Sequence, residues 1–256
     1  METGDCPFCG GSGWVTEVSA SGAAAKRCAC FEERRTRTLL LRSNIPPRYK
    51  DCTFENFKPM TSLQADALKN ARLFVDDFPD RNVGLLFIGP CGVGKTHLAA
   101  AILSALIQKS GTTCLFYDFR DLLRDIQATY TPDTGVSESE VLEPVFESRV
   151  LLLDELGAKR SSAWVEETVF YIINQRYNLK KLTLFTSNYP DTPEEAEAPV
   201  PWKKTDLTKR EDDTLVDRIG IRLRSRIYEM CKIVEMDGKD FRQTIRQGNY
   251  RSGRGF

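Results

Sequence analysis

No apolar stretch in these 256 residues approaches the roughly 20 needed to span a bilayer. The opening residues, METGDCPFCGG, also lack the apolar run of a signal peptide. A membrane-spanning helix is excluded, and a cytoplasmic chain is expected. Net charge is missing too, with 36 Lys and Arg against 36 Asp and Glu. That excludes a uniformly basic polyanion binder. With 41% hydrophobic, 28% charged and 10% aromatic residues, the chain has the means to bury a core, which excludes wholesale disorder. Large apolar side chains are few in residues 1–30, which burial alone could not fold. There is no internal repeat.

The neutral total hides an uneven distribution. Residues 1–50 carry 8 basic and 5 acidic groups, residues 51–202 carry 14 and 22, and residues 203–256 carry 14 and 9. Basic ends therefore flank an acidic middle.

Eight cysteines in a reducing compartment are not a disulfide framework. Four lie before residue 31, as Cys6-Pro-Phe-Cys9 and Cys28-Ala-Cys30, with 18 residues between the pairs. Two such pairs predict a closed four-thiolate Zn2+ site, and Gly10, Gly11 and Gly13 suit the tight knuckle that turns amides toward sulfur. The second pair is C-x-C rather than C-x-x-C, so a reduced or redox-active cluster is the alternative. Cys52, Cys91, Cys114 and Cys231 read as ordinary core or loop residues.

Phe31–Leu41 reads as a charged helix, broken by Asn44-Ile45-Pro46-Pro47. Beyond Ser62, helical periodicity alternates with short, nearly continuous apolar runs at Gly84–Ile88, Thr113–Tyr117, Val150–Leu153 and Leu182–Thr186. Helices are expected at 62–78, 96–109, 118–129, 138–147 and 162–178. This alternation predicts an α/β fold with a parallel sheet covered on both faces. Pro190–Asp213 reads as a long loop, Leu215–Met230 as a basic helix with Ile219, Leu223, Ile227 and Met230 on one face, and Lys232–Met236 with Asp240–Ile245 as a closing hairpin. The boundaries are then 1–45 for a Cys-rich module with its helix, 46–61 for a linker, 62–246 for the main domain and 247–256 for a flexible tail.

Gly89-Pro90-Cys91-Gly92-Val93-Gly94-Lys95-Thr96 fits G-x-x-x-x-G-K-[ST] between a strand and a helix. Its amides can cradle phosphate oxygens, Lys95 can reach the β- and γ-phosphates, and Thr96 can ligate Mg2+. His97, next in the helix, belongs to the same loop-to-helix set but is expected to pack rather than ligate. Arg149-Val-Leu-Leu-Leu-Asp154-Glu155 supplies a second half, with Asp154 placed for Mg2+ and Glu155 for polarising the attacking water. Asn188, at the end of the fourth run, can orient that water from the other side. The expected chemistry is Mg2+-dependent hydrolysis of a nucleoside triphosphate, which the resemblance below makes ATP.

GPCGVGKTHLA, VLLLDELG, LFTSNYP and DRIGIRLRSRIYEMC, in this order and spacing, resemble the AAA+ ATPases of the DnaC/IstB group, which includes bacterial helicase loaders and transposition helper ATPases. The resemblance covers about residues 48–246. It implies a P-loop AAA+ fold with little or no C-terminal lid, Walker A and Walker B at the two motifs, and Asn188 as sensor 1. Arg226 matches the family's arginine finger, which acts on a neighbour's nucleotide, with Arg222 second. Self-assembly with ATP is implied with it. Thr53-Phe54-Glu55-Asn56-Phe57 resembles the segment beside the base in related initiators. The helix Asp118–Tyr130 stands where the family contacts single-stranded DNA, offering Arg120, Arg124 and Tyr130.

Three functions follow as expectations. The leading one is a replication protein that loads a DnaB-type helicase on single-stranded DNA, with residues 1–45 engaging that helicase. The second is an IstB-like transposition helper. The third is a zinc-bearing DNA-binding adaptor without useful turnover, against which Glu155 argues.

Overall fold

The computed structural model describes residues 6–19, 22–131, 135–160, 162–191 and 214–243. The expected tail and nearly all of the loop after Pro190 lie outside these residues. Strands β1 (Trp14–Ser19) and β2 (Gly22–Arg27) form an antiparallel hairpin, with Trp14 opposite Arg27. The sequence reading did not anticipate it. Helix α1 (Ala29–Arg42) follows without a buried residue of its own. Its end is tied to the body by the Phe116 N–H, which donates to the Ser43 carbonyl at 2.7 Å, and by the Asn44 amide, which donates to the Phe116 carbonyl at 3.3 Å.

The body alternates as its sequence predicts: α2 (Ser62–Asp76), β3 (Gly84–Ile88), α3 (Lys95–Ser110), β4 (Cys114–Asp118), α4 (Phe119–Ala128), α5 (Glu138–Glu147), β5 (Val150–Asp154), α6 (Ala163–Asn178) and β6 (Leu182–Ser187). Helices α7 (Leu215–Ile219) and α8 (Ile221–Met230) lead to β7 (Cys231–Glu235). The five body strands lie in the order β4-β5-β6-β3-β7, every neighbouring pair parallel. Residues of β3, β5 and β6 are buried throughout, which is why their sequences show runs rather than alternation. Leu85 and Phe87 face the α2 and α3 side, whereas Leu86 and Ile88 face α4, α6 and α8.

Two expectations need correction. The basic helix is two helices, because Gly220 takes φ 79° and ψ 153°, a geometry no helix continues through. The expected apolar face survives, with Ile219, Leu223, Ile227 and Met230 all buried. The closing hairpin does not form over its described residues. β7 pairs in parallel with β3, and the Phe241 N–H donates to the Gly92 carbonyl at 3.2 Å. Asp237 faces α2 instead of crossing a hairpin, accepting from the Thr61 hydroxyl at 2.6 Å and, through its carbonyl, from Gln64 at 2.9 Å.

The segment 46–61 is held against the body, with Phe57 buried in the α2 and α3 core and Tyr49 and Phe54 packed beside it. Arg176 is fully buried at the centre of the α5, α6 and β6 junction. It donates to the carbonyls of Val145, Ser148 and Leu182 and to the Thr183 hydroxyl. No described helix is long and apolar enough to cross a membrane.

Candidate functional site

Four sulfurs converge at the base of the hairpin. Cys6 and Cys28 Sγ lie 3.7 Å apart, Cys9 and Cys30 Sγ lie 3.4 Å apart, and all four fall within 4.8 Å of one another. Thiolates about 2.3 Å from a tetrahedral Zn2+ would be separated by about 3.8 Å, so this set fits the ion closely. The Gly13 N–H donates to Cys9 Sγ at 3.3 Å and Arg34 donates to Cys30 Sγ at 3.2 Å. Such donors orient thiolate ligands and offset their charge.

A second site forms where β3, β5 and β6 end side by side. A cleft of about 770 Å3 is lined by Cys91 to His97, Glu155, Thr186 and Asn188 on one side, and by Arg48, Tyr49, Cys52, Phe57 and Arg242 on the other. Its volume suits a nucleotide. Gly94 opens α3 with φ 99°, and a Cβ there would lie 2.5 Å from the Phe57 ring, so only glycine permits both the loop turn and this wall. Lys95 is buried, with Nζ donating to the carbonyls of Gly89 and Pro90 at 2.8 and 2.7 Å and to Asn188 Oδ1 at 2.7 Å. Adjacent pairing of β3 and β6 brings Asn188 there, 93 residues on in sequence.

Asp154 ends β5 almost wholly buried. Its Oδ1 accepts from the Thr96 hydroxyl at 2.9 Å and from the Thr186 hydroxyl at 2.6 Å. Burial pushes its carboxyl up to about 6, against the pull of those two hydroxyls. Thr186 Oγ1 also accepts from the Glu155 N–H at 2.9 Å. This buried threonine escaped the sequence reading, although a hydroxyl inside an apolar strand is a visible signal. Glu155 itself adopts φ 58°, a left-handed backbone uncommon outside glycine. Its carboxylate is bound by Arg120 from the first turn of α4. The pair Thr96 and Asp154 offers oxygen donors of the kind Mg2+ takes beside phosphates, so the site fits Mg-nucleotide chemistry.

A sequence model of the IstB-like ATP binding protein family matches residues 24–248. The chain belongs to this family. Among its relatives is the replicative helicase loader DnaC of Escherichia coli strain K12, 29% identical over 180 residues, which are 68% of this chain and 70% of that protein. A crystal structure of the DnaC helicase loader superposes with a TM-score of 0.61 at 34% identity, over 75% of this chain and 99% of that one. A crystal structure of DnaI, 23% identical with a TM-score of 0.56, shares the fold over 77% of this chain and 94% of that one. The fold is thus that of the P-loop AAA+ proteins. Among the described residues no helical lid follows β7.

The remaining residues singled out in this IstB-like chain are placed as follows. His97 packs, as expected, with Nε2 2.9 Å from the Thr53 carbonyl and its ring 5.4 Å from that of Phe57. Arg226 does not line its own chain's cleft. Its guanidinium lies over the rings of Tyr177 and Phe170, at 4.7 and 5.4 Å, and its buried Nε has no hydrogen-bond partner. Arg222 is exposed, whereas Arg224 is held in a two-point ion pair by Asp191 at 2.8 and 2.9 Å. Of the expected DNA contacts, Arg120 holds Glu155 and Arg124 lies 2.9 Å from Asp121. Tyr130 is exposed and packs edge-to-face on Trp164, with ring centroids 6.4 Å apart. Lys159 lies 5.5 Å from the Trp164 ring, and Arg160 is exposed beside it in sequence.

Proposed function

We propose that this chain is an ATP-hydrolysing loader of a DnaB-type ring helicase in DNA replication, acting in the cytoplasm and assembling with copies of itself when ATP is bound. The observation that carries the reading is the meeting of Lys95, Thr96, Asp154, Glu155 and Asn188 at one cleft, in a chain related to a protein named replicative helicase loader. Mg2+ bound with ATP supplies charge neutralisation at the phosphates. The loop amides from Gly89 to Thr96 and the Lys95 ammonium bind and orient the triphosphate. Thr96 and Asp154 hold the metal. Glu155 accepts a proton from the attacking water while Asn188 fixes that water's direction.

Arg226 serves a neighbouring subunit's nucleotide, where its planar charge stabilises the transferring phosphoryl group, with Arg222 as the second choice. Arg226→Ala is expected to keep ATP affinity and lose assembly-stimulated hydrolysis, and mixing it with Lys95→Ala subunits is expected to restore some active sites. Unchanged turnover removes the assignment.

Single-stranded DNA lies across Tyr130 and Trp164, whose rings stack on bases while Lys159 and Arg160 meet phosphates. Arg120 and Arg124 are less suited, because carboxylates already hold them. Residues 1–45, with Zn2+ on Cys6, Cys9, Cys28 and Cys30, form the helicase-binding module. Residues 46–61 join it to the ATPase domain at 62–246.

The family description also names IstB, which favours a second reading as a transposition helper. A pull-down with ATP bound separates the two. Recovery of a hexameric helicase supports the loader, and exclusive recovery of a transposase overturns it. A chain whose function is untouched by Glu155→Gln would instead be an adaptor.

A further inference from the structure

The arginines of α8 have different partners. Arg222 is exposed, and Arg224 is neutralised by Asp191 through a two-point ion pair at 2.8 and 2.9 Å. Arg226 meets aromatic faces instead. Its guanidinium lies 4.7 Å from the centre of the Tyr177 ring and 5.4 Å from that of Phe170. Those two residues stand two turns apart along α6, so both rings come from a single rigid element. Half-buried, Arg226 forms no ion pair among the described residues, and its buried Nε has no hydrogen-bond partner there.

One carboxylate is within reach. Glu229, the acidic residue of α8, follows Arg226 at the i,i+3 spacing, at which ion pairs form along a helix. It is engaged elsewhere, accepting from the Tyr177 hydroxyl at 2.7 Å. Tyr177 therefore acts twice, its hydroxyl occupying the carboxylate and its ring carrying the cation. A carboxylate would neutralise Arg226, whereas a ring face attracts the cation through its quadrupole and leaves the formal charge in place. Arg226 is thereby fixed in direction and still charged toward an anion. It does not line its own chain's cleft, so that anion belongs to another molecule.

We infer that Phe170 and Tyr177 are positioning residues, an aromatic cradle presenting Arg226 to the phosphoryl group of a neighbouring subunit's nucleotide, given the reading of Arg226 as the group that serves that nucleotide. Neither ring touches the nucleotide in this role. Both set the direction of the guanidinium, and Tyr177 also keeps Glu229 from taking it.

Mixed assemblies of the full-length chain separate this role from simple packing. Acceptor subunits carry Arg226→Ala and keep the cleft, whereas donor subunits carry Lys95→Ala and keep Arg226. Restored ATP turnover in the mixture comes only from acceptor clefts served by donor arginines. Phe170→Leu or Tyr177→Leu on the donor is expected to lower the restored kcat about 2- to 30-fold, the weight of a cation-ring contact, with KM for ATP unchanged. The same changes on the acceptor, which has no Arg226 to position, are expected to leave the restored rate as it was. Tyr177→Phe with Glu229→Gln keeps the ring and frees no carboxylate, so on the donor it should retain the rate. Equal losses on donor and acceptor would show a packing role and overturn the proposal, as would an unchanged rate with the donor variants. A mixture without restored turnover would remove the reading of Arg226 itself, and this proposal with it.

Discussion

Arg120→Ala is expected to raise basal ATP turnover, and the structure bounds the size of the rise. In the proposed reaction Glu155 polarises the attacking water and must be free to face the γ-phosphate, but the Arg120 guanidinium holds its carboxylate at the start of α4. Glu155 and Arg120 side chains are 37% and 57% exposed, so solvent screens their attraction. Exposed ion pairs contribute about 0.2–1 kcal/mol, which corresponds to about a 1.4- to 5-fold bias toward the held state. Removing Arg120 should therefore raise kcat by no more than about fivefold, with KM for ATP little changed. Raising salt should produce a similar rise in the wild type and none in the variant, because screening releases the same pair. Steady-state phosphate release at low and high ionic strength measures both effects. A fall in kcat, or a salt response that persists in Arg120→Ala, would show that Arg120 supports Glu155 rather than restraining it.

Three further outcomes follow from other parts of the molecule. Metal analysis is expected to find about one Zn2+ per chain, and chelation to unfold the hairpin and not the sheet, read by hydrogen exchange; a metal-free chain with a folded N-terminus would refute the site. Arg176→Met removes a buried donor from the carbonyls of Val145, Ser148 and Leu182, of which Val145 keeps the Ser148 hydroxyl, and also relieves a buried charge, so urea unfolding should show a loss of about 1–3 kcal/mol, and no loss would contradict the junction's role. Because burial raises the Asp154 carboxyl to about 6, the carboxylate is charged above that pH and protonated below it. Mg2+ affinity of the nucleotide complex should then be flat above pH 6 and fall about tenfold per unit below it, with no such break attributable to this position in Asp154→Asn.

The strands were legible because three of them are buried on both faces, so their sequences are unbroken runs with few competing readings. The P-loop and Asp154-Glu155 were legible because phosphate and metal chemistry demand particular residues at adjacent positions. What escaped was set by packing between distant segments. Nothing local marks Arg176 as a buried clamp, since its partners lie up to 31 residues away and are mostly backbone carbonyls. Nor does Leu215–Met230 announce two helices, because an apolar face continues across Gly220 while the backbone does not. The hairpin expected at the end failed for a related reason. Asp237-Gly238 has turn chemistry, but its partners are Thr61, which caps α2, and Gln64 in its first turn rather than a returning strand.

The charge asymmetry noted in the sequence acquires a geometry. The basic α1 is not simply a solvated helix, because Arg35 donates to the Gly111 carbonyl at 3.1 Å, at the end of α3. The opposite end of α3 carries Lys95 and Thr96. From the Cys28 and Cys30 thiols, α1 and the turn after it lead to Asn44, which bonds Phe116, and the chain continues through the proline turn to Tyr49, which stacks on that same Phe116. The cysteine cluster and the phosphate loop are thus joined twice, once through the length of α3 and once through the Phe116 region. A displacement of α1 by a partner on the hairpin must act on both connections. The expected outcome is that a partner bound at the hairpin shifts nucleotide affinity, and that replacing Arg35 and Asn44 together abolishes the shift while leaving nucleotide affinity without the partner unchanged, as read by nucleotide titration with and without it.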